Sequence, residues 1–422
     1  MKKIYRETAK IVIKTAIIGA VLCFATLSQA DNKNSFIDDL TEALKSGTPT
    51  LELRLGYEHS DMSDSGKDAA NAINLRSRVG YRTGEFMFSQ VYLQFHNLTN
   101  LMDEFAPEDH HYDVIADPHG SRVHQAYLDF KGIPETTLRI GRQEIVLDDA
   151  RLIGNVDWRQ NGQSFDAVSL TNKSLKDFKL YGAYVNQVNT ILLDYLDLDN
   201  FFLINAKYSG IEGLNITAFC YLLDTESNAD SAQDCATYGL RLDGKFAAFD
   251  YDVTGAYQSD FADGKDHDSY MITAAAGYKI GKIRIGGGYQ YISGQDGSDR
   301  PFDTLYSTAH KFNGWADVFL STNGGKLKNG LQDYYVDLGA TLFWDVKMKA
   351  VYHYFDTAEK YNNFNDDYGN EIDLLMVKKI NKNLKLLLKY AHYSEKNHSA
   401  SYTNVAGGHD EDVYWARIMF KF

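Results

Sequence analysis

No apolar run of roughly 20 residues occurs beyond the N-terminus, which excludes a bundle of membrane-spanning helices. Basic charge is also scarce. The 422 residues carry a formal net charge of -14, so the basic footprint of a nucleic-acid binder is absent. Proline is rare as well: Pro49, Pro107, Pro118, Pro134 and Pro301 all lie at or outside the strand boundaries assigned below, as a sheet requires. Convergent metal-ligand spacing is missing too. His110, His111, His119 and the stretch His409 to Asp412 sit in polar loops and read as solvated residues, so no metal and no cofactor is expected. Nor does any motif join His96, His124 or His353 to a nucleophilic serine, which argues against an enzyme.

Aromatic residues are plentiful, with 29 Tyr and 23 Phe. Tyrosine in such number suits surfaces that stand half in lipid and half in water. The N-terminus reads as an export signal. Lys2, Lys3, Arg6, Lys10 and Lys14 precede the apolar stretch AIIGAVLCFATL, and Ser28-Gln29-Ala30 supplies a small-x-small cleavage site. Cleavage after Ala30 makes the mature chain more acidic still, with 38 basic residues against 56 acidic. Next comes SFIDDLTEALKSG, a short amphipathic helix within a periplasmic segment 31-48, starting at Ser35 and stopped by Gly47.

From residue 49 to 422 one unit recurs: about ten residues of alternating apolar and polar character, then a connector. In LELRLGYE, Leu51, Leu53, Leu55 and Tyr57 alternate with Glu52, Arg54 and Glu58. The final strand behaves alike, with Tyr414, Ala416, Ile418, Phe420 and Phe422 on one face and Trp415, Arg417, Met419 and Lys421 on the other. The count reaches eighteen strands, and the connectors alternate long and short, the short ones including TGE, SGIE, DGK, IGK and WD. These features predict an all-β fold: a transmembrane antiparallel up-and-down β-barrel of about 18 strands, with short periplasmic turns and long extracellular loops. A bare apolar strand at the chain end invites pairing. Here it closes against the first strand, and its terminal aromatic is the feature a barrel-assembly machinery would read.

Positive charge recurs on the predicted inner faces, at Arg54, Arg76, Arg78, Arg82, Arg139, Arg241, Arg284, Lys347, Lys349, Lys385, Lys389 and Arg417. Acidic residues share those faces, among them Glu52, Glu58, Asp129, Asp252, Asp337, Glu371 and Asp373. Rings of arginine in a pore favour anions, whereas cross-strand pairing would merely solvate the wall; both readings stay open. Cys220 and Cys235, the two cysteines left after processing, flank a loop at the ends of adjacent strands. Read as inward-facing neighbours in an oxidising envelope, they are expected to form a disulfide.

Two passages carry a resemblance. LRIGRQEIVLDDARLIGNVDWRQNGQSFDAV, residues 138-168, and LYSTAHKFNGWADVFL, residues 305-320, resemble characteristic stretches of the alginate-export family of bacterial outer-membrane barrels. ALKSGTPTLELRLGYEHSD and HQAYLDF are similar to further parts of it. The resemblance implies a monomeric eighteen-stranded barrel whose loops fold inward around a basic conduit. It draws attention to Arg142, Gln143, Arg151, Trp158, Arg159 and Asp166 in the first passage and to His310, Phe312, Trp315 and Asp317 in the second, as constriction or as bracing of the long loop 294-332. Arg142, Arg151 and Arg159 thereby join the pore-lining candidates, although alternation leaves the register near Gly141 open. The expected function is a porin in the outer membrane of a Gram-negative bacterium, passing hydrophilic solutes, anionic sugars or oligosaccharides foremost. The alternative is an exporter of an anionic polysaccharide such as alginate, which sits poorly with acidic loops such as NLMDEFAPEDHHYD.

Overall fold

The computed structural model describes residues 33–63, 65–225, 233–359, 368–396 and 409–422. The export signal expected over 1-30 lies outside these residues. The described chain begins with helix α1 (Lys33–Lys45), two residues earlier than the serine start predicted, and continues as strands. These are β1 (Thr48–Met62), β2 (Ala70–Arg82), β3 (Ser89–Glu104), β4 (Gly120–Phe130), β5 (Thr136–Gln143) and β6 (Ser164–Asn172). Then follow β7 (Phe178–Asn189), β8 (Tyr195–Ile211), β9 (Leu214–Thr225), β10 (Cys235–Phe246), β11 (Phe249–Asp260) and β12 (Asp268–Ile280). The last six are β13 (Ile283–Ile292), β14 (Leu331–Thr341), β15 (Lys347–Asp356), β16 (Gly369–Lys379), β17 (Leu384–Glu395) and β18 (Glu411–Lys421). Each strand pairs antiparallel with its sequence neighbours, and β1 pairs with both β2 and β18, so one eighteen-stranded sheet closes on itself. Closure leaves no open edge for a second chain to pair with.

At the seam, Leu53 faces Phe420 and Leu55 faces Ile418, and Leu51 and Phe422 exchange backbone hydrogen bonds of 3.1 and 2.8 Å. The expected partner of the last strand is therefore the observed one. Short turns collect at one rim. The turns after β10, β12 and β14 are tight, and Trp344 and Asp345 both adopt positive φ, 56° and 57°. Helix α1 lies at this rim: Phe36 meets Phe86 edge-on at 5.1 Å, and the Ala43 carbonyl accepts the Gly84 N–H at 2.7 Å.

Alternation holds along β1, β2 and β13–β18, where Leu55, Val79, Ile285, Val336, Leu374 and Ile418 are exposed outward and Arg54, Arg76, Asp337, Asp373 and Arg417 are buried inward. It loses its polar sign along β6–β9. There the inner face is apolar, with Phe165, Val185, Phe201, Leu203, Tyr221 and Leu223 buried against Leu152, Ile153 and Leu305 from connectors folded into the barrel. A core thus forms inside the sheet, and both faces of this sector are hydrophobic for different reasons. This corrects the predicted disulfide. Phe219 and Tyr221 face inward, so Cys220 faces outward opposite Tyr238, whereas Cys235 sits on the inner side opposite Leu223, fully buried. The two thiols are free and point to opposite sides of the wall, a placement no disulfide geometry spans.

Strand β5 is short and ends at Gln143. Gly141 adopts φ +122°, where a Cβ would strike the Ala126 carbonyl, and beyond Gln143 the chain turns into the barrel. Ile145 and Leu147 consequently join the interior core.

Candidate functional site

Connectors 144–163 and 293–330 occupy the barrel interior. The first is held by a cluster of arginines on β1 and β2. Asp157 accepts from Arg76 at 2.9 Å, Arg78 at 3.2 Å and Arg54 at 3.2 Å, while Arg54 also donates to the Asp157 carbonyl at 2.8 Å. Glu52 pairs with Arg76 from the same wall. Burial by itself would raise the Asp157 pKa, but the guanidinium groups of Arg76, Arg54 and Arg78 outweigh it and hold the carboxyl below its ordinary range. The charges are matched, so this arginine cluster anchors a loop. His96 and His124 contribute to the same anchor, through Asn161 at 2.8 Å and Glu144 at 2.7 Å.

The two motif passages, far apart in sequence, meet here. Trp158 stacks on His310 with centroids 4.2 Å apart and planes within 7°. Arg159 spans Glu58 at 2.7 Å on the wall and Asp317 at 2.9 Å on the second connector. Asp317 in turn holds His310 Nδ1 at 2.9 Å, and His310 Nε2 lies 2.5 Å from Lys389 Nζ. Burial pushes the His310 imidazole down to about 3; Asp317 opposes that shift and Lys389 adds to it. Around the Lys389 ammonium stand Trp315 at 3.7 Å, Trp158 at 4.1 Å and Trp415 at 5.3 Å, three of the chain's four tryptophans. Their ring faces compensate a cation withdrawn from water. Arg417 covers the other face of Trp158 at 3.8 Å and donates to its carbonyl at 2.7 Å. Glu371 fastens the second connector by accepting the Ala316 N–H at 2.9 Å and that of Trp315, with Gly314 at φ +84° giving it room.

Arg151 is buried between the second connector and β13, donating to Gln290 at 2.6 Å, with its guanidinium 4.5 Å from the Phe312 ring. Arg139 pairs with Asp129 at 2.6 Å on the inner wall. Gln143 braces β5 to β6 through the Ala167 carbonyl and the Ser169 hydroxyl. Arg142 corrects its assignment to the pore. In register it faces Asp166, on the side shared by Ile140, Val168 and Leu170, so the pair joined at 2.7 and 2.9 Å stands on the outer surface of the wall. The pairing runs without a shift from Thr136 to Gln143, so Arg142 lies on the face that Leu138 and Ile140 set.

Open volume remains on the opposite side of the barrel. A cavity of about 580 Å³ lies between the connectors and β10–β15, bordered by Trp158, Trp315, Tyr289 and Tyr335 and by Arg241, Lys311 and Lys349 together with Asp149, Asp252 and Asp333. A second, of about 640 Å³, reaches the short-turn rim past Arg241, Asp252, Asp243 and Arg284. Arg241 pairs with Asp252 at 3.1 Å, and Arg284 bridges Asp250 and Asp337 at 2.6 Å each. Lys347 begins β15 at the same rim, exposed. Sequence reasoning missed Asp157, Asp149 and Lys311, all on connectors, where no periodicity marks which way a side chain points. Asp157 stood directly before Trp158 and Arg159, and that adjacency was the available signal.

A family model described as "Alginate export" matches residues 65–397. The chain belongs to the alginate export family. It is thus an outer-membrane β-barrel, as the closed eighteen-stranded sheet requires. Among solved structures, OccAB3 of Acinetobacter baumannii is similar with a TM-score of 0.71 at 15% identity, over 90% of this chain and 100% of that one. OccK3 (OpdO) of Pseudomonas aeruginosa gives 0.68 at 14% identity, over 92% and 99%, and OpdK of the same organism, solved with vanillate, gives 0.68 at 14%, over 90% and 99%. At such identity the likeness establishes the fold this alginate export family member shares with them. No curated protein sequence matches the chain.

Proposed function

We propose that this barrel is a channel for passive diffusion of small hydrophilic solutes across the outer membrane, with sugar acids and short acidic oligosaccharides as its preferred class. The observation that carries the reading is the cavity between the connectors and β10–β15. The aromatic side chains of Trp315 and Tyr335 suit the C–H faces of a sugar ring, Arg241, Lys311 and Lys349 suit a carboxylate, and Gln290, Asn313 and Asp333 suit hydroxyl groups. The channel acts without cofactor, energy coupling or catalysis, as a monomer in lipid that the barrel-assembly machinery inserts.

Polysaccharide export is the second reading, and the family description favours it. A long polyanion needs a run of uncompensated cations, however, and Arg54, Arg76 and Arg78 are matched by Asp157, Glu52 and Glu144. The test is the reversal potential of the purified protein in a planar bilayer under a salt gradient, with uronate, neutral oligosaccharide and long polyuronate added in turn. Anion preference with block by short uronates supports the proposal; block by long polyuronate alone supports export. Absence of conductance removes the channel reading.

A further inference from the structure

The two cavities meet at one place. Arg241, Asp252 and Ala275 line both. Ala275 lies on β12 between Asp252 of β11 and Gly288 of β13, on the inner face. Its surroundings explain why space survives there. Inward positions near it on β12 and β13 carry almost no side chain, at Gly277, Gly286 and Gly288. Two of those bare positions are roofed: the Arg284 guanidinium lies across Gly277 and Gly286, held by Asp250 and Asp337. Gly288 is roofed by the Tyr335 hydroxyl. Ala275 is left uncovered, flanked by the Arg241–Asp252 pair on the wall. Across the cavity under the connectors stands Lys311, whose ammonium is held by the Asp149 carbonyl at 2.7 Å.

We infer that the permeation route runs along β10–β13 through a single aperture at Ala275, and that the Arg241–Asp252 pair beside it, rather than the arginine cluster of β1 and β2, sets ionic selectivity. The inference rests on the channel reading above and adds to it the location of the filter. The β1–β2 arginines are buried and matched by the carboxylates of Asp157, Glu52 and Glu144, so they meet no passing ion. Arg241 and Asp252 face open volume on two sides, and separating or neutralising either leaves one uncompensated charge at the narrowest point.

Single-channel recording of the full chain tests this. Ala275→Trp is expected to reduce conductance by about fivefold or more, since a bulky ring at a pore constriction obstructs it, while Ala276→Trp, one residue on and facing lipid, leaves conductance at the wild-type level. Because Ala275→Trp can fail to fold, Ala275→Cys in a chain carrying Cys220→Ala and Cys235→Ser provides a second reading: a water-soluble anionic thiol reagent is expected to lower conductance and a reductant to restore it. Arg241→Gln is expected to move the reversal potential toward cations and Asp252→Asn toward anions. Wild-type conductance with unaltered current in both Ala275 variants, or with both charge variants unshifted, overturns the inference while leaving the channel intact. A silent wild type instead removes the channel reading.

Discussion

A single carboxylate decides what three arginines do. Asp157 retains 44% of its side-chain exposure while Arg76 beside it is fully buried, so the acid faces the interior and the base is sealed behind it. Asp157→Asn is expected to keep the hydrogen-bond acceptor but release the charge, exposing connector 144–163 to protease; wild-type resistance to cleavage would show that the guanidinium groups hold the connector without it. Asp303 offers a pH-dependent case. Burial raises its carboxyl to about 6, only partly offset by the N–H groups of Gly324 and Leu305, which it accepts at 2.7 and 2.6 Å. In an unfolded chain the same group titrates near 4. The folded state therefore binds more protons between about pH 4 and 6, and its stability falls as pH rises through that window. Hydrogen exchange in connector 293–330 should quicken from pH 4 to 6, after allowance for intrinsic rates, and Asp303→Asn should flatten that dependence. Identical profiles in the two proteins would refute the assignment.

Among elements, the interlock of the two connectors stands out. Trp158 with His310 and Arg159 with Asp317 join segments about 150 residues apart, and the Tyr306 carbonyl accepts the Gly154 N–H at 2.9 Å. Neither connector has a strand, and the second has only the short 3-10 helices Ala309–Lys311 and Leu320–Thr322, so each depends on the other and on the wall. A double-mutant cycle of Arg159→Met with Asp317→Leu, read by denaturant unfolding in micelles, should give a coupling energy of about 0.5–3 kcal/mol. A coupling near zero would mean that the pair is solvated in solution. The strands β6–β9 make the complementary point. Their inner faces are apolar because connector residues cover them, so alternation alone misassigned Cys220.

For the whole molecule, closure fixes the architecture, and we propose that the terminal aromatic serves assembly. The Phe422 backbone bonds β1, yet its side chain is 69% exposed. Phe422→Ala should therefore refold in detergent as well as the wild type, as judged by heat-modifiable gel mobility, but accumulate less in the outer membrane of cells. Equal loss in both settings would assign the ring to stability and remove its role as an assembly signal.

Strand number, the up-and-down order, the long and short connectors and the outward faces of β1, β2 and β13–β18 were determined by the sequence alone, because a two-residue period facing lipid on one side and water on the other is a local property. The stretches 138–168 and 305–320 were likewise visible as motifs. What they do was decided by tertiary structure. Whether Arg54, Arg76 and Arg78 meet a solute or a carboxylate depends on where Asp157 comes to rest, some 80 to 100 residues away. Which sector of the lumen stays open depends on two connectors that have no period to read. Contacts between distant irregular segments leave no periodic trace in the chain, since the entropy of closing such long loops is recovered only when the barrel wall brings their ends together.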